Sequence, residues 1–215
     1  MGRKLKKDGM FYQNRYTFVS LVVILGMYFI AQSYYDPASM VRKGAAVVTG
    51  EGVPNIGGEF SVLDHEGKAF TQADLQNKYS LIFFGFTHCP DICPTALTVL
   101  TDVYSRLSEA QRTNVQVMMA SVDPSRDTVK IMSEYVAAFD ESFIGLTGTE
   151  AQMKDMAKKY LVYFAKHPTD ELGNYSVDHS GYIYLIGPDG RYMKHFSHKS
   201  SADEIAKSLQ SYLIK

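Results

Sequence analysis

Both cysteines of the 215-residue chain stand in FGFTHCPDICPTAL, residues 84–97. Three residues separate Cys89 from Cys93, and each is followed by a proline. A thioredoxin-type redox motif separates its cysteines by two residues, so this pair is not that motif. Two cysteines are also too few for a disulfide framework, which leaves them incidental or chemical. If a helix begins near Pro94, its free backbone N–H groups and positive end lower the pKa of a nearby thiol and favour the thiolate. Were the loop already helical at Cys89, the i, i+4 spacing would bring both sulfurs to one face. Pro90 and Pro94 restrict the backbone that carries them. Such a pair can form a disulfide, hold a soft metal, or do each in turn. Two thiolates leave zinc two ligands short of its tetrahedral preference. They suit Cu(I), for which one imidazole would complete a trigonal site.

The chain offers six histidines, His65, His88, His167, His179, His195 and His198. His179 lies in VDHSGYIYLI, immediately before an apolar run with the look of a hairpin strand. If that strand neighbours LIFFGF, His179 faces the cysteine loop, and Asp178 beside it is placed to orient the imidazole. A turn histidine that caps its neighbours is the plainer alternative. His88 adjoins Cys89, but adjacent side chains point in different directions, so it is not expected to be a ligand. His195 and His198 have metal-like spacing in HFSH, yet they follow the hairpin in a polar stretch and read as solvated surface. The block VDPSRDT, with Asp123, Pro124, Arg126 and Asp127, is expected to be a turn leading into a helix. The ten methionines are scattered, which gives no support to a Met-rich copper-loading tract.

These residues need elements to position them. EFSVLDHEGKAF alternates around an Asp64–Gly67 turn, a hairpin signal. SLIFFGF and VQVMMASVD are continuous apolar runs of the kind buried on both faces of a sheet. Helical spacing predicts helices over 94–107, 128–139, 149–160 and 201–214, with Thr149 as a cap. LVYFAK reads as a short strand, and GYIYLIGPDGRYMKHF as a hairpin turning at Pro188-Asp189-Gly190. Strands alternating with helices, then a terminal hairpin and helix, predict an α/β domain with a mixed central sheet flanked by helices. The loop from Tyr163 to Tyr175 is long for a compact domain, and partner recognition is the expectation for it.

The N-terminal region differs in character. Residues 1–16 carry Arg3, Lys4, Lys6, Lys7 and Arg15, and no charged residue falls between Tyr16 and Tyr35. About 20 apolar residues suffice to cross a bilayer as a helix. The expected organisation is therefore a cytoplasmic basic tail over 1–16, a transmembrane anchor over 17–35, a tether over 36–56 and a domain over 57–215. A cleaved signal peptide ending near Ala31-Gln32-Ser33 is the alternative. Either places the domain outside the cytoplasm, and the absence of an Arg/Ser-rich presequence favours a single-pass protein of a bacterial inner membrane with its domain in the periplasm. The net charge of −1 gives no reason to expect nucleic acid as a partner.

FFGFTHCPDICP, SVDPSRDT and DHSGYIYLIGPDGR resemble the signature blocks of the Sco/SenC family, and the likeness runs from about Gly57 to the C-terminus. That resemblance implies a thioredoxin-like fold. It also implies a membrane-anchored copper protein that assists assembly of the binuclear copper centre of cytochrome c oxidase. Carried over residue by residue, the family's copper ligands fall on Cys89, Cys93 and His179. The implied cargo is one copper as Cu(I), with Cu(II) left open. The implied partners are the copper-bearing subunit of the oxidase, other copper chaperones and the bilayer. The rival on the same fold is a thiol-disulfide oxidoreductase, with Cys89 attacking and Cys93 resolving, that keeps the oxidase copper-site cysteines reduced. Copper is favoured because a dithiol exchanger has no evident need of His179. A peroxiredoxin-like peroxidase is disfavoured because FGFTHC lacks the proline and Thr/Ser context that such an attacking cysteine requires.

Overall fold

The computed structural model describes residues 22–27, 56–171 and 173–213. The chain divides into two compact units, Met1–Glu51 and Gly52–Lys215. In the first, residues 22–27 are helical, and the remainder of the expected 17–35 span lies outside the described residues. Among the described residues no helix is long and apolar enough to cross a membrane.

The second unit is built on a seven-stranded mixed sheet. Its strands are β1 (Ser61–Asp64), β2 (Ala69–Thr71), β3 (Tyr79–Gly85), β4 (Val115–Ser121), β5 (Ile144–Thr147), β8 (Tyr182–Ile186) and β9 (Tyr192–Ser197). Their order across the sheet is β2-β1-β5-β4-β3-β8-β9. β3 runs parallel to β4 and antiparallel to β8. Leu81, Ile82, Phe83 and Phe84 of β3 are wholly buried, and every residue of β4 is buried. Continuous apolar runs belong on such strands, because helices cover both faces.

The helices are α1 (Ile92–Ser105), α2 (Glu109–Arg112), α3 (Val129–Ala137), α4 (Glu150–Lys159) and α5 (Ala202–Leu213). Thr128 and Thr149 cap α3 and α4, each hydroxyl accepting from the backbone N–H three residues on. α1 starts at Ile92 with Asp91 as N-cap, so Cys93 lies in its first turn and Cys89 stands in the turn before it. The sulfurs therefore meet through that turn rather than along one helix face. The expected hairpins form: β1 pairs with β2, and β8 with β9 across Pro188-Asp189-Gly190, where Gly190 takes a φ of +74°. β5 has no counterpart in the sequence reading, because IGLT is short and its glycine weakens the strand signal.

β6 (Phe164–Lys166) and β7 (Val177–His179) form a separate antiparallel ribbon, with Phe164 opposite His179. The chain enters this ribbon from α4 through a Schellman closure. Leu161 N–H donates to Lys158 O at 3.1 Å, and Val162 N–H to Ala157 O at 2.9 Å. The residue held in the left-handed region is Leu161, at φ +54°. Glycine is the usual occupant, and a Cβ there costs about 1 kcal/mol.

Candidate metal centre

β3 delivers the chain to the turn at 86–91, α1 lifts Cys93 from its first turn, and the ribbon brings His179 over both. One ligand atom from each of Cys89, Cys93 and His179 lies within 4.8 Å of the others. This is the one such Cys, His or carboxylate cluster among the described residues. Both thiols are free, Cys93 fully buried and Cys89 half-buried. The sulfur of Cys93 lies 3.4 Å from His179 Nε2.

Gly85, the last residue of β3, makes room for that sulfur. A Cβ at position 85 would come within 2.6 Å of Cys93 Sγ and 2.9 Å of a ring carbon of Phe83. Phe83 and Phe86 turn their ring planes nearly perpendicular to the imidazole, with centroids 5.8 and 5.7 Å away. The imidazole is thereby confined between two buried rings. Its Nδ1 sits 3.2 Å from the carbonyl oxygen of Ser180. With the proton on Nδ1 and donated to that oxygen, Nε2 keeps its lone pair for a metal; with the proton on Nε2, the ring instead donates toward the Cys89 thiolate. Asp178, expected to orient this ring, instead faces outward on β7 and lies 2.9 Å from His167 Nε2. The backbone carbonyl of Ser180 takes the place proposed for its carboxylate.

The two thiols are electrostatically unequal. A hydrogen bond donated by Cys93 draws the Cys89 thiol down from 9.0 to about 4, against the opposing effect of partial burial, with the Asp91 and Cys93 backbone N–H groups adding to the pull. Cys93, which gives that hydrogen bond and is buried, is pushed far up. The pair therefore holds one thiolate and one thiol near neutrality, which is a ready nucleophile beside a proton donor, or a soft donor set that loses one further proton on taking a metal.

A polar network braces the two arms of the site, and VDPSRDT supplies it. Asp127 does not act as a cap; its buried carboxylate accepts from Thr87 Oγ1 and Ser121 Oγ, both at 2.6 Å, and from Thr87 N–H at 3.2 Å. This holds the turn that carries Cys89. Burial raises the Asp127 carboxyl above its ordinary 3.8, partly offset by those hydrogen bonds. Asp123 pairs with Arg126 and accepts from the Tyr175 hydroxyl at 2.8 Å. The Arg126 guanidinium lies 3.7 Å from the Tyr175 ring centroid and donates to Tyr175 O at 3.1 Å. This clasp holds the segment leading into β7 and so the height of His179.

The remaining histidines lie elsewhere. His88 is exposed, with Nδ1 3.1 Å from Thr87 Oγ1. His195 is exposed and bonded to the Tyr192 hydroxyl at 2.6 Å, while half-buried His198 faces Gly181 O at 3.1 Å. Reasoning from sequence missed Gly85, Phe83, Phe86 and Tyr175. A glycine closing a buried strand one step before the cysteine turn was the available signal for the first.

The SCO1/SenC family profile matches residues 48–214. A SCO2-like protein of Rickettsia conorii is 37% identical over 194 residues, covering 90% of this chain and 93% of its own. ScoI of Bradyrhizobium japonicum, solved with copper bound, is 41% identical with a TM-score of 0.68 over 73% of this chain and 99% of that one. BsSco, described as a cytochrome c oxidase assembly protein with a disulfide switch, is 25% identical with a TM-score of 0.58 over 74% of this chain and 94% of that one. With its mixed thioredoxin-like sheet and a profile match through nearly the whole described domain, the chain belongs to the SCO1/SenC family.

Proposed function

We propose that this chain is a membrane-anchored copper chaperone that assembles the copper centre of cytochrome c oxidase, holding one copper through Cys89, Cys93 and His179. The observation that carries the reading is the convergence of those three donor atoms within 4.8 Å. The donor set fits: two sulfurs and one neutral imidazole nitrogen match the softness and low coordination number of Cu(I). The copper-bound relative and the assembly role given for BsSco support the cargo and the destination. Copper is cargo here. This chain's residues hold the donor atoms in place, shield Cys93 from water and take up or release the thiol proton as the metal leaves or arrives. The copper-bearing oxidase subunit is the recipient, other copper chaperones the source, and residues 17–35 the single span that leaves the domain in the periplasm.

The test is Cu(I) titration of the full chain in detergent, reduced and anaerobic, against a competing chelator. Equimolar binding that weakens by about tenfold or more in His179→Ala is expected. Weak binding, or binding indifferent to His179, overturns the three-ligand site.

One observation favours a second reading on the same sulfurs: the depressed pKa of Cys89 beside a protonated Cys93. A thiolate at Cys89 attacks a partner disulfide, forming a mixed disulfide and releasing one partner thiolate. Cys93 then passes its proton to the released partner thiolate and attacks the Cys89 sulfur, releasing the second partner thiolate, so the partner gains two electrons and the Cys89–Cys93 pair becomes a disulfide. Reduction of an oxidised oxidase copper-site peptide by the metal-free dithiol, lost in Cys89→Ser, is the expected result. Reduction that survives in Cys89→Ser excludes it.

A further inference from the structure

On the face of the β6–β7 ribbon's outer strand lies a groove of about 690 Å³, walled by α4, the loop after β4 and β6. Its lip is apolar. Leu161 and Tyr163 are 61% and 65% exposed, more than any other large apolar residue described in the Gly52–Lys215 unit. Exposed apolar side chains beside a concavity mark an interaction site more often than solitary ones do. Leu161 is informative because its backbone sits where glycine is favoured. The chain keeps a leucine at a position where a smaller, more soluble residue would relieve strain.

The charge of the groove is predominantly positive. Lys154 and Lys158 stand one turn apart on α4, both exposed, and neither has an ion pair among the described residues. Their neighbour Lys159 is matched by Asp155 at 2.6 Å, so the omission is local. Lys166 adds a third cation, resting 3.8 Å from the Tyr175 ring. Of the two acids of the lining, Asp123 is paired with Arg126, while Glu150 accepts from the Ser125 hydroxyl at 2.7 Å and keeps its charge, so three cations face one free carboxylate.

We propose that this groove docks an acidic segment of a partner protein, one apolar side chain of which seats between Leu161 and Tyr163 while its carboxylates meet Lys154, Lys158 and Lys166. A concave groove suits a chain segment, whereas an anionic bilayer presents a flat face. The location gives the contact a use. Phe164 lines the groove and pairs across the ribbon with His179, so the occupant lies one strand from the metal centre. The groove is separate from the thiols, and docking stands whether or not copper is the cargo.

The test pans a random dodecapeptide library on the full chain in detergent micelles, with counter-selection on Lys154→Glu/Lys158→Glu. Enriched peptides should carry at least two carboxylates around a Leu, Met, Phe or Tyr. A fluorescent synthetic copy should bind the full chain, weaken with added salt, and lose about tenfold or more in affinity on the double variant. Leu161→Gly should weaken it comparably without lowering the melting temperature, because glycine fits the left-handed backbone. The exposed control Lys207→Glu should leave it unchanged. Peptides lacking carboxylates, indifference to Lys154→Glu/Lys158→Glu, or equal loss in Lys207→Glu would overturn the proposal. So would charge-variant-sensitive binding to phosphatidylserine vesicles without any peptide binding. Cu(I) affinity of Lys154→Glu/Lys158→Glu should match wild type, which separates this outcome from that of the metal site.

Discussion

At the scale of single residues, the two cysteines differ more than their common type suggests. With its thiol drawn down to about 4, Cys89 should be carbamidomethylated by iodoacetamide well into the acid range, while buried Cys93 stays unmodified. Cys93→Ala removes the hydrogen-bond donor and should move the pH profile of Cys89 labelling upward toward 9.0; mass spectrometry of the labelled protein reads both. The same depression ties the stability of the reduced fold to pH. A group with a lowered folded pKa adds stability that is complete above its unfolded value and is lost as pH falls toward about 4. Gly85→Ala forces a methyl group into the space beside Cys93 Sγ, and overpacking of this kind costs about 1–3 kcal/mol in urea unfolding. Copper affinity should fall with it. That Cys89, Cys93 and His179 belong together was legible in the sequence, because they are chemically distinctive wherever they sit, and the structure brings them within 4.8 Å. What confines them was not. Gly85, Phe83 and Phe86 act through register and packing, and Asp178 was set aside because the ribbon turns it outward and offers Ser180 O instead.

Among the elements, the β6–β7 ribbon and the turn after β3 are independent pieces that a polar network fastens together. Tyr175→Phe keeps the ring under Arg126 and the Arg126–Asp123 pair but removes the hydroxyl donor to Asp123, a loss of about 1 kcal/mol, the usual net contribution of one hydrogen bond. Copper affinity should drop alongside stability, whereas an unchanged affinity would show that His179 holds its place without the clasp. Asp127 provides the complementary test. Its carboxyl is raised by burial, so the folded state binds the proton more tightly than the unfolded state does, and stability falls as pH rises through the range above 3.8. The advantage of wild type over Asp127→Asn should therefore shrink as pH rises through that window; an advantage that grows would contradict the direction. The major strands and helices were legible from period and caps, since a buried strand such as β3 has no polar face and Thr149 announces α4. The β5 strand and the Asp127 network were not, because IGLT is too short to show a period and an inward-turned aspartate looks the same in sequence as a cap.

Across the whole domain, the three donor atoms lie at different depths. Cys93 is sealed between β3 and α1, while Cys89 and His179 are half-open at the surface. A copper ion held there as proposed would meet an incoming donor only at the two outer groups, Cys89 and His179, and buried Cys93 would be the last to let go. The metal's departure would then divide into several small barriers rather than a single large one, with Cys93 retaining the ion until an outside donor takes it. The same depth makes the route one-directional for oxidants, which meet Cys89 before they can find its partner.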